Sequence, residues 1–266
     1  MINSASANDN IADTGAWEKW SLEFGGFIAS TDTSFRLGSG AGVDIDLEEL
    51  LDMDATNYVY RLAGSWRFSK NRKHSLGLNW FALRRSGETT IGQDIEIPDQ
   101  DGDGMTTIPA GTKVESYFDI DVYQANYSYS FFMDERVDLS ANFGLYIMPI
   151  NFGLEATGLI DANGDAKFTA PLPVLGLSFD FALTPKWFIR SGTQIFYLQY
   201  ENYTGGILAT HAGIEYKPWK HFGIGLGADT FRLKAEADGE DYPEIDFKGN
   251  FEFNYVGLVL YGRISF

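Results

Sequence analysis

The sharpest chemical motif in the sequence is Asp99-Gln-Asp-Gly-Asp-Gly104, in which three carboxylates stand at alternate positions and a glycine follows. This spacing matches the first half of a calcium loop, which needs oxygen ligands and then a sharp turn. The twelfth position is Ala110, where such a loop has a bidentate glutamate. We therefore expect calcium at Asp99, Asp101 and Asp103 only if another loop supplies the missing ligands. The alternative is a solvated acidic loop.

Histidine is the second residue type that could take part in catalysis, and the sequence contains three. His211 is the one that lies away from expected strand starts, with Glu215 on the same face of its strand. Such a pair can act as an acid–base couple. However, no nucleophile can be paired with it from sequence, no Gly-x-Ser-x-Gly elbow occurs and no Asp adjoins it. We assign no catalytic residue, and a hydrogen-bonded interior histidine is the alternative.

Other ionisable side chains recur along the polar faces of the expected strands. Unpaired charges in a narrow interior are costly, so the mixture of signs predicts a paired network. Two interpretations stay open: the pairs simply fill the interior, or they line a narrow polar path. The expected members are Lys19, Glu23, Arg61, Arg67, Asp138, Asp180, Arg190, His211, Glu215, Asp229 and Arg263.

These residues require β-strands to position them, and apolar residues alternate accordingly. In the final stretch one set of alternate positions reads Val256, Leu258, Leu260, Gly262, Ile264 and Phe266. A period of two predicts a β-strand. The pattern recurs in ten segments, at about 17–37, 56–69, 74–95, 113–131, 137–155, 172–183, 187–200, 206–216, 221–234 and 255–266.

The connections between these segments fall into two alternating classes. Short turns are mostly basic, as at 70–73, whereas the others are generally longer and acidic, as at 44–54, where Asp46 can cap one helical turn. Short periplasmic turns and long outer loops are typical of outer-membrane barrels. The sequence therefore predicts an all-β fold, an antiparallel up-and-down transmembrane barrel of about ten strands, with eight or twelve as alternatives. The barrel is expected to occupy residues 16–266 as one domain, after a disordered lead-in at 1–15.

A soluble ten-stranded barrel or sandwich is the competing fold. It would carry a charged surface rich in Lys and Glu, whereas the polar faces here contain mainly Gly, Ser, Asn and Gln. The mean hydropathy is −0.17, and no apolar run approaches the ~18 residues of a membrane helix. A formal net charge of −17 argues against nucleic-acid binding. Cysteine is absent, which suits export. No signal peptide is recognisable before the barrel, so we expect a mature form.

The chain ends on Phe266 without a polar tail. This ending resembles the C-terminal strand of bacterial outer-membrane β-barrels, in which a terminal Phe is the assembly signal. The chain from about Trp17 is also similar to small proteobacterial barrels of no known activity, through Leu47-Glu-Glu-Leu-Leu51 and Ala170-Pro-Leu-Pro173. The resemblance implies an outer-membrane location, with lipid and lipopolysaccharide around the barrel. It also implies that the barrel-assembly machinery engages the last strand.

Three functions remain after these observations. The leading hypothesis is a narrow channel or a barrel that binds and transports a small solute, with acidic outer loops that calcium orders. The second is a non-conducting structural or surface-interaction barrel. The third is an outer-membrane hydrolase. The sequence contains nothing that identifies the solute.

Overall fold

The computed structural model describes residues 17–37, 45–98, 105–157, 163–200, 203–237 and 249–266. Within these ranges no helix is long and apolar enough to cross a membrane. The alternating segments form β-strands throughout. In chain order they are β1 (Trp20–Leu37), β2 (Ile45–Asp46), β3 (Thr56–Arg67), β4 (His74–Thr90), β5 (Ile95–Pro98), β6 (Met105–Ile108), β7 (Lys113–Met133), β8 (Val137–Ala156), β9 (Asn163–Thr184), β10 (Trp187–Tyr200), β11 (Tyr203–Trp219), β12 (Phe222–Ala237) and β13 (Gly249–Ser265).

Ten of these strands form one closed antiparallel barrel, and β2, β5 and β6 are short additions at one end. The last strand, β13, pairs with β1 from Ser21↔Ser265 to Leu37↔Gly249. This pairing removes the sheet edge. The expected fold and strand number are therefore confirmed.

The outer face of the barrel carries a band of exposed apolar side chains, including Leu22, Leu78, Phe143 and Leu258. Aromatic pairs lie along one edge of the band; Trp20 and Trp66, for example, stack with centroids 4.9 Å apart. A transmembrane barrel requires such a lipid-facing band with interfacial aromatics. We call the end with the short connections, such as 134–136, the turn end, and the opposite end the loop end.

The apolar face switches sides towards the loop end. In β8, Phe143 and Ile147 point outward and are exposed, whereas Met148, Ile150 and Phe152 point inward and are buried. Several strands also extend further than the alternation predicts: β9 begins at Asn163 and β13 at Gly249. Outside lipid, apolar side chains that point towards the interior are removed from water, which stabilises the fold. The half of the barrel near the loop end (the loop half) therefore has a core like that of a soluble protein.

Aromatic side chains fill much of this core. Tyr255 stacks on Phe27 with centroids 5.4 Å apart and on Phe231 with centroids 5.5 Å apart. Phe27 also meets Phe81 edge to face at 5.4 Å. All four side chains are buried. They close the barrel interior at about its middle.

Residues 47–53, which we call the plug segment, belong to the same core. Asp46 caps its first turn as expected: its carboxylate accepts the Glu49 N–H at 2.7 Å, and its carbonyl accepts the Leu50 N–H at 2.9 Å. Leu47 and Leu51 are fully buried. Because β3 pairs with β4 only along Arg61–Arg67, the plug segment fills the space that the missing strand pairing leaves.

A second interruption of the wall separates β9 from β10. Their pairing stops at Leu175↔Ile195, although both strands continue towards the loop end. The next outward-facing residues of β9 are Pro173 and Pro171, which have no N–H and therefore cannot extend the ladder. Leu198, on the inward-facing register of β10, is 52% exposed beside this gap. We call the gap the β9–β10 seam.

Candidate functional site

The half of the barrel near the turn end encloses a polar chamber of about 310 Å³. Its boundary towards the loop half is formed by Phe81, Phe231 and Tyr255 among others, with Phe27 packed against them. Its boundary at the turn end includes Trp17, which is 1% exposed. The Trp17 indole N–H donates to the Asp134 carbonyl at 2.6 Å. Within the described residues, Trp17 and the aromatic side chains thus bound the chamber at its two ends.

Ion pairs occupy the turn-end side of the chamber. Arg190 reaches Asp180 and Glu215, each at 2.9 Å, and Arg263 reaches Glu23 at 3.0 Å. Glu215 has no exposed side-chain surface. A carboxylate buried to this degree needs cationic partners, and Arg190 supplies a two-point contact.

Two further ion pairs lie near the turn end of the barrel. Arg67 binds Asp138 at 2.7 Å, and Ser140 donates to the other oxygen of the same carboxylate at 3.0 Å. Lys217 lies against Glu18. Lys217 follows the expected strand 206–216, but β11 continues to Trp219, and the Lys217 side chain points inward, where it is 6% exposed.

A hydrogen-bonded network crosses the chamber on its loop-half side. Arg61 binds Asp229 at 2.6 Å and donates to Asn79 at 3.1 Å. Gln124 and Tyr146 both donate to the Gln194 amide oxygen at 2.7 Å. Except for the Arg61–Asn79 bond, these contacts join strands that are two or three places apart in the sheet, so this cross-barrel network stabilises the curved wall of the chamber.

His211 faces the chamber and lies directly opposite Asp229 in the β11–β12 register. The expectation that no Asp adjoins it is therefore wrong. The strand pairing brings the two residues together across a separation in sequence. The His211 ring occupies the space above Gly192. A Cβ added to Gly192 would lie 2.7 Å from the His211 Cε1 and 3.2 Å from the Ser178 hydroxyl.

Ser178, Gly192, His211 and Asp229 thus form one row across four adjacent strands. These are the residue types of a hydrolase triad. However, neither a Ser178–His211 nor a His211–Asp229 hydrogen bond occurs, and Ser178 instead accepts from Asn142 at 2.6 Å. The row supplies no nucleophile–base contact.

Most of the other luminal residues predicted from sequence also face inward, but they make different contacts. Glu23, Arg61, Arg67, Asp138, Asp180, Arg190, Asp229 and Arg263 line the chamber, whereas Glu215 lies behind it and Lys19 is exposed at the turn end. Gln124, Gln194 and Tyr146 were missed, because neutral side chains on a polar face give no charge signal. Gly225 makes room for the Tyr261 ring, because a Cβ there would overlap it.

The calcium motif at Asp99, Asp101 and Asp103 lies outside the described residues. Among those that the structure describes, no group of three or more His, Asp or Glu side chains is arranged to hold a metal ion. Ala110, at the twelfth position of that motif, donates its N–H to the Asp94 carboxylate at 2.8 Å.

Neither a protein-family model nor a curated protein matches the sequence. Solved structures do resemble the fold. The outer membrane protease OmpT from Escherichia coli matches with a TM-score of 0.53 at 10% identity, over 93% of this chain and 96% of that one. Ail, the attachment invasion locus protein of Yersinia pestis, gives 0.35 at 11% identity over 91% and 97%. The P. putida toluene transporter TodX gives 0.35 at 10% identity over 100% and 94%. The likeness to OmpT shows that the chain has the fold of a bacterial outer-membrane β-barrel.

Proposed function

We propose that the protein is a non-conducting barrel of the bacterial outer membrane whose loop half is a rigid support for interactions at the cell surface. One observation carries the proposal: the interior of the loop half is packed with apolar side chains. Phe118, Phe152, Phe251 and Phe253 are at most 1% exposed. A packed apolar interior provides no polar path for an ion or a hydrated solute.

The direction of insertion follows from the connections. Short turns belong to the periplasmic side of outer-membrane barrels and long loops to the outside. The loop half then projects beyond the hydrocarbon, where its outer face becomes polar, as at Arg84 and Glu88. Lipopolysaccharide would surround this face. A solid core makes such a projection rigid, which lowers the entropic cost of binding a partner there.

The narrow channel expected from sequence is the less favoured function. It would need the plug segment, the aromatic side chains at the middle of the interior and Trp17 all to move, because they lie one after another along the interior. The plug segment is held by a buried ion pair between Glu48 and Arg85. Trp17 is held by its bond to Asp134 and by Arg72, which donates to the Trp17 carbonyl at 2.6 Å.

Single-channel recording in planar bilayers tests the proposal. We expect no current from the wild-type protein at any applied voltage. Insertion is checked separately, by the heat-modifiable mobility of the reconstituted protein. Replacement of residues 47–53 by a short Gly-Ser link together with Trp17→Ala should also give no current, because the four aromatic side chains at the middle of the interior remain in place. Ohmic current through the wild type would overturn the proposal.

Hydrogen exchange tests the rigidity of the loop half separately. We expect the amides of Phe152 and Phe253 to be protected as strongly as those of the lipid-facing Phe143 and Leu258. Rapid exchange confined to the loop half would contradict a rigid support, even in a protein that does not conduct.

A further inference from the structure

The β9–β10 seam exposes the backbone of β10 along one edge. A Cβ added to Gly176, in β9, would lie 2.5 Å from the Thr193 carbonyl oxygen, so the backbone of Thr193 points towards β9. A Cβ added to Gly206, in β11, would lie 3.7 Å from the Phe196 carbonyl oxygen, so Phe196 points the other way. Because this direction alternates along a strand, the N–H and C=O groups of Tyr197 point into the seam, where pairing with β9 has ended.

The seam opens within the lipid-facing band of the barrel. Its last closed pair, Leu175 and Ile195, has both side chains exposed on the outer face, and Tyr197 beyond it is also exposed. On the β9 side, Pro171 lies opposite Ile147, another exposed apolar residue of the band. The outer mouth of the seam is therefore continuous with the surface that lipid covers. An unpaired backbone group at this level has little water to bond to, so it needs a partner from elsewhere.

The inner side of the seam has an apolar surface and free space. Leu198 lies on the inward-facing register yet is 52% exposed. Its neighbour in the β10–β11 register is Gly205, and within the described residues a Cβ added there would meet only the Phe196 ring, at 3.8 Å. Phe196 and Leu172 pack against the buried core and form the floor. An apolar groove thus runs from the lipid-facing band to the inner face of Leu198.

We propose that the β9–β10 seam binds an acyl chain of a membrane lipid. The chain lies in the groove against Leu198 and Phe196, where its methylene groups cover apolar surface. The ester carbonyl at the start of the chain accepts the Tyr197 N–H. A peptide strand fits less well, because it would need donors from both edges, and Pro171 and Pro173 offer none on the β9 side.

This site belongs to the barrel wall and not to its interior. A bound chain would close the wall where the strand ladder stops, and it would leave the plug segment and the aromatic core in place. The site needs neither a conducting interior nor a partner at the cell surface, so it does not depend on the function proposed above.

Methyl NMR tests the site in the full chain. The deuterated protein, with ¹³C-labelled leucine methyl groups, is placed in nanodiscs of protonated dimyristoyl phosphatidylcholine. We expect nuclear Overhauser effects (NOEs) from the lipid chain methylenes to the Leu198 methyls, as to those of the lipid-facing Leu175. Leu233, which shares the inward register but is buried, should show none.

The other occupants of the seam give different spectra. NOEs from Leu198 to water without NOEs to lipid would show that solvent fills the groove from the loop end, and would overturn the proposal. NOEs between labelled and unlabelled chains in a mixed sample would show that a second copy occupies it, with the same consequence. Absence of any intermolecular NOE at Leu198 would also refute the site.

A matched pair of glycine variants locates the chain. Gly205→Leu fills the free space beside Leu198, and the lipid NOEs of Leu198 should disappear while those of Leu175 persist. Gly206→Leu adds the same side chain to the outer face and should leave the Leu198 NOEs unchanged. Neither glycine has a positive φ, so both variants are compatible with the strand. Lipid NOEs that persist at Leu198 in a folded Gly205→Leu protein would overturn the proposal.

Discussion

The Glu48 carboxylate forms an ion pair with the Arg85 guanidinium inside the barrel, where Arg85 is 1% exposed. The same arginine donates to Thr31 at 3.0 Å and to Thr33 at 2.6 Å and lies over the Phe118 ring at 5.0 Å. Glu48 also accepts the Thr33 backbone N–H at 2.9 Å. The pair therefore fixes the plug segment to β1 and β4, so a piece of an outer loop has become part of the core.

Breaking this pair should destabilise the protein. Glu48→Gln leaves the Arg85 charge buried without its counter-ion, and we expect a loss of about 3 kcal/mol in the free energy of unfolding. Denaturant unfolding in detergent micelles, followed by tryptophan fluorescence, measures it. The matched control is Glu88→Gln, which breaks the exposed pair with Lys113 at 2.7 Å and should cost less than about 1 kcal/mol. Equal losses for both variants would show that the plug segment is not anchored in this way.

The β9–β10 seam should depend on its prolines. Pro173→Val restores a backbone N–H where β9 would next meet Tyr197 of β10, and we expect the two strands to pair further. The Tyr197 amide should then exchange with solvent more slowly, by the equivalent of about 1 kcal/mol for one added hydrogen bond. Hydrogen exchange followed by mass spectrometry or NMR reports the change. Pro149→Val, in β8, is the control and should leave the exchange rate of the Tyr197 amide unchanged. If Pro173→Val also leaves that rate unchanged, the prolines are not the cause of the β9–β10 seam.

Phe266 should matter more for assembly than for stability. Its carbonyl accepts the Lys19 and Trp20 N–H groups, and these backbone bonds survive Phe266→Ala. The substitution removes only the ring stacked on His221, with centroids 5.1 Å apart, so we expect about 1 kcal/mol or less of destabilisation. If the ring is the assembly signal, the folded, heat-modifiable fraction in cell envelopes should fall severely. Phe132→Ala, at another exposed ring, is the control, and equal assembly of both variants would refute the role of Phe266.

Calcium at Asp99, Asp101 and Asp103 stays a prediction. Carboxylates at alternate positions should give a measurable heat of calcium binding that Asp101→Ala removes. Asp94→Ala is a useful comparison, because the Asp94 carboxylate is engaged by the Ala110 N–H. Identical calorimetric traces for the wild type and Asp101→Ala would eliminate the site.

Some of the missed features had a visible signal in the sequence. In β8 the apolar positions shift by one residue between Ile147 and Met148, and in β13 they shift between Tyr255 and Val256. The two-residue period continues across such a shift, so the strands were predicted. The change of the apolar side chains from the outer to the inner face was not. The Pro171 and Pro173 pair likewise indicated an unpaired strand edge.

The sequence by itself determined that the chain forms a closed barrel of about ten strands, because alternation, turn length and composition are local properties of the chain. It also placed most of the charged residues on the inner face. The tertiary structure alone decided their partners, since the pairing of Arg61 with Asp229 or of Arg85 with Glu48 depends on strand register and on the curvature of the closed sheet. The same closure decided which part of the interior became a packed core and which part stayed a polar chamber.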